Sequence, residues 1–441
     1  MSELTVGIDI GTTSVKAIAA DGDGEVMARS RIPHALGVPT PTRLEHDADE
    51  AWRRGPEAAL RALDVEMSDV RGVSVAAMVP SLTAVDDAGV PRTPGLLYGD
   101  ERGRTASTGN PAESGELVAF LRWTARQTPD AHGFWPAQAV ANHALSGEAV
   151  LDTSTAATAY PLFDWTDWDE QRATDVGARV DQLPRLVPTG WEAGRVRDGG
   201  PPLASGCIDA LAEQLVAGAD DDGDVLVLLG TTLIVWVVTG DEASVPGYFT
   251  IPHTAPGKLL VGGPSNAGGL FLNWACGLLG DQSSGALDPG RVPVWAPYPR
   301  GERVPFHDPD RRAVLAGLDL THDAAALRRA AYEASGFCAR RMIDASGVAP
   351  RRIIATGGGT RVDEWVRALA DATALPVDCV AVPEGGALGS AWLARITAGL
   401  EDQMTGMVEG RRWARTGRRV EPDPKWATAA AARYEEFLAL S

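Results

Sequence analysis

The run Asp9-Ile10-Gly11-Thr12-Thr13-Ser14 carries the densest chemistry in the sequence. Gly11 lacks a Cβ, so its backbone can approach a ligand closely. The N–H groups of such a turn and the hydroxyls of Thr12, Thr13 and Ser14 can all donate to phosphate oxygens. Asp9 offers the hard carboxylate oxygen that Mg²⁺ prefers. A plain polar hairpin has the same composition, so the run alone leaves both readings open. Lys16 adds charge only if its side chain turns to the loop rather than to solvent. Gly230-Thr231-Thr232 repeats the pattern about half a chain later. Gly357-Gly358-Gly359 exposes backbone against which a flat nucleoside can lie, although close helix–strand packing also asks for glycine. Asp209 stands in Gly206-Cys207-Ile208-Asp209 at an expected helix start. There it can orient and deprotonate an attacking hydroxyl, or simply cap the helix. The P-loop spacing and GxGxxG are both absent. Phosphate loops without either point to an ATPase architecture of another kind.

The elements that must position these residues follow from periodicity. Leu4–Ile10, Val15–Ala20 and Glu25–Ile32 read as a β-meander whose first turn is the Gly-Thr-Thr loop. Asp224–Leu229 and Leu233–Val238 flank the second loop in the same way. The repetition of strand, Gly-Thr-Thr and strand predicts an internal duplication, with two α/β domains of one design facing each other. Glu50–Leu63 and Glu113–Gln127 have helical spacing, and Val70–Ala77 reads as a strand. Gly199-Gly200-Pro201-Pro202 is the best linker candidate, giving domains 1–203 and 204–441, with Asp209 in the second. The last third alternates. Thr321–Ser346 is expected as a helix with Thr321 as N-cap and Gly347 beyond its end. Arg352–Ala355 and Val377–Val382 are strands, and Val362–Thr373 and Gly386–Gly399 are helices. Such alternation predicts a mostly parallel sheet covered on both faces.

Composition excludes several classes. The 441 residues carry 40 Lys and Arg against 59 Asp and Glu, a net charge of −19. An acidic chain repels nucleic-acid phosphates and anionic lipids, so neither is an expected partner. The four cysteines are far apart and contain no CxxC pair, which argues against a zinc site and for reduced thiols. There is no secretory signal pattern and no apolar run of membrane-spanning length, so the expected home is the cytoplasm. His46, His253 and His307 lack metal-ligand spacing and read as surface or core residues. Trp165 and Trp168 either stack on a sugar or pack beneath a helix start.

These pieces together resemble the FGGY carbohydrate kinase family, of the xylulokinase and ribulokinase kind, within the actin-like ATPase superfamily. Gly7 to Lys16 resembles the family's opening. Leu44-Glu45-His46-Asp47 with Trp52 resembles its "E-x-D…W" stretch, and Tyr98 to Arg102 its "W-x-D-x-R". Gly206–Asp209 resembles the "G-x-x-D" of the catalytic base, and Leu229–Thr232 resembles "L-G-T-S". Gly301–Pro305 resembles "G-E-R-x-P". Ala316-Gly317-Leu318 with Ala330–Glu333 resembles the second signature, and Thr356–Gly359 and Ala387–Ala391 close the series.

The resemblance implies two duplicated actin-like, ribonuclease H-like domains with an interdomain cleft. It implies a kinase that moves the γ-phosphoryl group of ATP, with Mg²⁺, to a small sugar or polyol. Asp209 would be the general base and also touch the substrate, and Asp9 would lie near the metal. Gly11, Thr12, Thr13, Gly230, Thr231 and Thr232 would hold phosphates, and Gly357, Gly358 and Gly359 would line the adenosine site. Asp100 and Arg102 would lie at or beside the sugar. A homodimer stays open. The chain departs from the family where pentulose kinases often carry "Q-M-H-G": here the span reads Met78-Val79-Pro80-Ser81, leaving Ser81 as its one small hydroxyl expected to meet the substrate. Ala326 stands where a polar residue is usual, and Phe120 where a Lys precedes the family's Trp. The altered span keeps two further readings open: a weakly active sugar- or nucleotide-binding relative, and a kinase of a non-sugar hydroxyl compound.

Overall fold

The computed structural model describes residues 3–40, 42–104, 116–241, 244–280 and 287–440. The chain divides into two compact units, Met1–Val216 with Gly385–Trp413, and Ala217–Glu384 with Ala414–Ser441.

In the first unit, Leu4–Ile10 pairs antiparallel with Ser14–Ala20, which pairs antiparallel with Val26–Pro33. On its other side Leu4–Ile10 runs parallel to Val70–Ala77, which in turn runs parallel to Pro202–Ala204 and Cys207–Ile208. Leu4–Ile10 is buried along its whole length rather than on alternate residues. A sheet covered on both faces requires this. One cover is the helix Gly385–Thr397, which packs so closely that a side chain at Gly7 would enter the backbone of Ala387 and Ala391. A smaller antiparallel sheet holds Glu45–His46, Gly95–Leu97, Ser81–Val85 and Gly133–Trp135.

The second unit repeats the first. Asp224–Leu229 pairs antiparallel with Leu233–Thr239, which pairs antiparallel with Leu259–Ser265. Asp224–Leu229 also runs parallel to Arg352–Thr356, which runs parallel to Val377–Val380. The five central strands thus have the same order and directions in both units, as the repeated Gly-Thr-Thr turns predict. Each unit has its own apolar core, one around Trp52, Phe120 and Phe134, the other around Phe271, Phe337 and Phe437.

Several expectations change. Both sheets are mixed rather than mostly parallel, because each carries an antiparallel meander beside its parallel strands. Gly199-Gly200-Pro201-Pro202 is not a linker. Gly199 has φ +74° in a turn joining Glu192–Arg195 to Pro202–Ala204, with Val196 N–H donating to Pro201 O at 3.0 Å. Glycine and proline punctuate hairpins and linkers alike. The cut therefore falls after Val216, and Asp209 belongs to the first unit. The long helix is Ala324–Ser346, not from Thr321. Asp323 is its N-cap and accepts from Ala326 N–H at 2.9 Å, while Thr321 is held by Asp319. Of the expected helix Glu113–Gln127, Glu116–Gln127 is present and residues 113–115 lie outside the described residues.

Candidate active site

The loop after Leu4–Ile10 is closed by Gly11 N–H donating to Ser14 O at 3.1 Å. Thr13 is exposed, and Gly11 is partly so. Thr12 is buried and held at both polar ends. Its hydroxyl lies 2.6 Å from the Tyr98 hydroxyl, and its carbonyl lies 2.8 Å from His46 Nε2. Lys16 turns toward Asp9, with Nζ 3.3 Å from Asp9 Oδ2, while its side chain stays partly exposed.

Register brings two carboxylates to one sheet edge. Ile10 and Ile208 flank Ala77 from opposite sides, so Asp9 is the last residue but one of its strand and Asp209 directly follows the other. The two strand ends are separated by two strand spacings, about 10 Å. Gln138, wholly buried, fastens the shorter strand, its Nε2 donating to Val75 O at 3.3 Å and Cys207 O at 3.2 Å. Burial pushes the Cys207 thiol well up, and the charges of Asp152, Asp209 and Asp9 push it the same way. Asp209 is partly exposed at the first position of the helix Asp209–Ala217, and its Oδ1 accepts from Ala210 N–H at 2.7 Å. The helix Gly385–Thr397 touches both carboxylate supports. A Cβ at Gly386 would lie 3.0 Å from Asp9 Cγ, and one at Gly389 would enter Ala212.

The expected sugar residues sit differently. Met78–Pro80 leads from the end of Val70–Ala77 into the second sheet, where Ser81 is buried and its Oγ accepts from Ala137 N–H at 3.0 Å. Asp100 is also on that second sheet's side rather than at the end of a strand of the main sheet, and it has no accessible surface. Its carboxylate accepts from Leu44 N–H at 2.8 Å and from Arg102 N–H, Nε and Nη2 at 2.9, 2.9 and 2.7 Å. Arg102 also reaches Glu45 at 2.6 Å and lies 4.9 Å from the Trp123 ring centre. Four donors fill the two oxygens of Asp100, so the pair braces its loop.

In the second unit, the edge formed by Leu229 and Thr356 carries two loops. Gly230, Thr231 and Thr232 are partly exposed. Gly269 N–H and Leu270 N–H, opening the helix Gly269–Leu279, donate to Gly230 O at 2.8 Å and Thr231 O at 3.0 Å. Buried Glu302 fastens the residues before that helix. It accepts from Ser265 Oγ at 2.7 Å, Asn266 N–H at 2.8 Å and Arg303 N–H at 2.7 Å, and burial raises its carboxyl to about 7. The three glycines divide their work. Gly357 has φ +87° and faces Leu229 O, Gly359 packs under Trp365, and only Gly358 is exposed with open space around it.

The N-terminal domain of the FGGY family of carbohydrate kinases matches residues 4–203, and its C-terminal domain matches residues 225–398. The chain belongs to the FGGY family of carbohydrate kinases. A xylulose kinase of Escherichia coli strain K12 is 27% identical, over 90% of this chain and 91% of the relative. A gluconokinase of Bacillus subtilis strain 168 is 24% identical, over 84% and 83%. The crystal structure of a xylulose kinase from Rhodospirillum rubrum superposes with a TM-score of 0.75 at 27% identity, covering 99% of this chain and 98% of that one. That of a gluconate kinase from Lactobacillus acidophilus gives 0.80 at 20% identity, covering 100% and 98%, a likeness of fold.

As a member of this FGGY family the chain is an ATP-dependent sugar kinase, with the actin-like fold in both units. Among the described residues no helix is long and apolar enough to cross a membrane. No group of three or more His, Cys, Asp or Glu among them is arranged to hold a metal ion. A hard cation held mainly by water and nucleotide phosphates needs only one or two carboxylates. Buried Asp9, with glycine backbone at Gly386 in place of a side chain, fits that requirement. Sequence reading passed over Gln138 and Glu302, and took His46 as a surface or core histidine without seeing its role at the loop. His46 and Glu302 stood within quoted family stretches, but Thr12 and Ser265, which they hold, lie 34 and 37 residues away.

Proposed function

We propose that the chain phosphorylates a ketopentose or related open-chain polyol of the xylulose class, with Asp209 as general base. Its xylulose kinase relatives supply the class. The observation that carries the reading is the strand register that sets Asp9 and Asp209 at one edge of one sheet. Asp209 accepts a hydrogen bond from the acceptor hydroxyl and takes its proton as the oxygen attacks the γ-phosphorus. The new P–O bond forms as the bond to the β,γ-bridging oxygen breaks, and ADP leaves with that electron pair. Thr13 in the first unit and Thr231 and Thr232 in the second offer donors to phosphate, while the Gly11 and Gly230 N–H groups close their own turns, and Gly358 offers bare backbone to a nucleoside. Mg²⁺ near Asp9 neutralises charge on the phosphates when bound. In this reading Asp100 and Arg102 shape the acceptor side by holding its loop, and the chain works in the cytoplasm.

The test is ATP turnover against a panel of pentuloses, gluconate, glycerol and other polyols, with Asp209→Asn alongside. The variant keeps shape but cannot take the proton, so kcat falls by about 10²–10⁴-fold while ADP affinity holds. A loss of less than about tenfold removes Asp209 from that role. Met78–Ser81 offers no amide or imidazole, and Ser81 Oγ is already engaged with Ala137. D-xylulose should therefore be a weaker substrate here than in a relative with that polar pair.

A further inference from the structure

Three consecutive residues, Leu44, Glu45 and His46, each touch a different part of the first unit's edge. Leu44 N–H donates to Asp100 Oδ2, Glu45 pairs with Arg102, and His46 Nε2 meets Thr12 O. The strand is pinned to Gly95–Leu97 through Glu45↔Leu96 and His46↔Gly95. His46 is almost wholly buried. Trp52 fixes its tautomer. The indole N–H can only donate, and it reaches His46 Nδ1 at 3.0 Å, so Nδ1 accepts. Nε2 therefore carries the proton and donates to the Thr12 carbonyl, with the ring neutral. Trp52 is itself buried, its ring held against the backbone of Gly95. Tyr98, which follows Gly95–Leu97, closes the circuit by holding the Thr12 hydroxyl.

We propose that Leu44–His46 is a strap tying the first phosphate loop to the Asp100–Arg102 loop, and that His46 is a positioning residue for phosphoryl transfer. With carbonyl and hydroxyl of Thr12 both taken and the Gly11 N–H closing the turn on Ser14 O, the N–H groups of Thr12 and Thr13 and the Thr13 hydroxyl are left to face the nucleotide. The inference rests on Gly11–Thr13 being a phosphate loop.

The experiment titrates ADP with Mg²⁺ into the full-length wild type, His46→Ala, His46→Gln, Trp52→Phe and Gly11→Val, with thermal melting of each. His46→Ala weakens ADP binding about tenfold. His46→Gln stays within about twofold, because an amide also carries one donor and one acceptor. Trp52→Phe falls between them, with a melting temperature lowered by the lost bulk and the lost indole donor. Unchanged ADP affinity in Gly11→Val removes the loop reading itself. If Gly11→Val loses ADP but His46→Ala binds within twofold of wild type, or His46→Gln is as weak as His46→Ala, the strap is overturned. Should His46→Ala fail to fold, an ADP affinity in Trp52→Phe equal to wild type overturns it.

Discussion

Asp100 shows how a residue's surroundings redirect its chemistry. Removing it leaves the Arg102 guanidinium buried with Glu45 as its remaining carboxylate, and breaking a buried pair costs about 3 kcal/mol. Asp100→Ala should therefore lower the melting temperature together with turnover. A raised sugar KM at an unchanged melting temperature would instead return Asp100 to direct sugar contact. His46 makes a pH prediction. Burial lowers its pKa from 6.5 to about 4, with a smaller push from His34, whose ring centre is 4.5 Å away. A depressed histidine stabilises the fold fully above 6.5, and that stability is lost as pH falls toward 4. Denaturant unfolding across pH 4–7 should show the loss, and His46→Gln should flatten it in part. His34 is lowered too and keeps the rest of the slope.

At the scale of elements, the glycine-rich loop separates packing from binding. Gly358→Ala meets no atom within 4 Å, so it should leave the melting temperature alone while raising the KM for ATP. Gly357→Ala forces φ +87° on a residue with a Cβ and presses on Leu229 O at 3.0 Å. It should cost about 1–3 kcal/mol of stability. Melting curves of the two variants, with ATP kinetics, decide between these roles. Both Gly-Thr-Thr turns and their flanking strands were legible in the sequence, because apolar runs broken by glycine are a local signal. The helix Gly385–Thr397 was legible as a helix but not as the element that reaches Asp9 and Ala212, since Gly386 and Gly389 look like any helix glycine until their neighbours are known. Ser81 and Asp100 were singled out for chemistry. Ser81 Oγ is filled by Ala137 and one Asp100 oxygen by Leu44, each 56 residues away in sequence, which no local pattern reports, whereas the pairing of Asp100 with Arg102 is two residues long.

At the scale of the molecule, the duplicated five-strand arrangement gives each half an edge with a Gly-Thr-Thr turn, and the halves then diverge in what else the edge carries. The first holds the carboxylates Asp9 and Asp209, the second the exposed glycine. The units are not consecutive in the chain. The first is completed only by Gly385–Trp413, and the second only by Ala414–Ser441. A fragment ending at Val216 leaves the backbone of Gly7 and Gly72 without the helix that covers it. Circular dichroism and hydrogen exchange on that fragment should show no cooperative unfolding, and a cooperative transition would mean that the helix is dispensable. On a ribosome the order of emergence then matters. The strand Leu4–Ile10 leaves the exit tunnel long before the helix that seals it, Gly385–Thr397, is translated. Nascent Leu4–Ile10 must wait, its apolar surface exposed, until Gly385–Thr397 has also been translated, so this strand is where a holding chaperone has a long time to act.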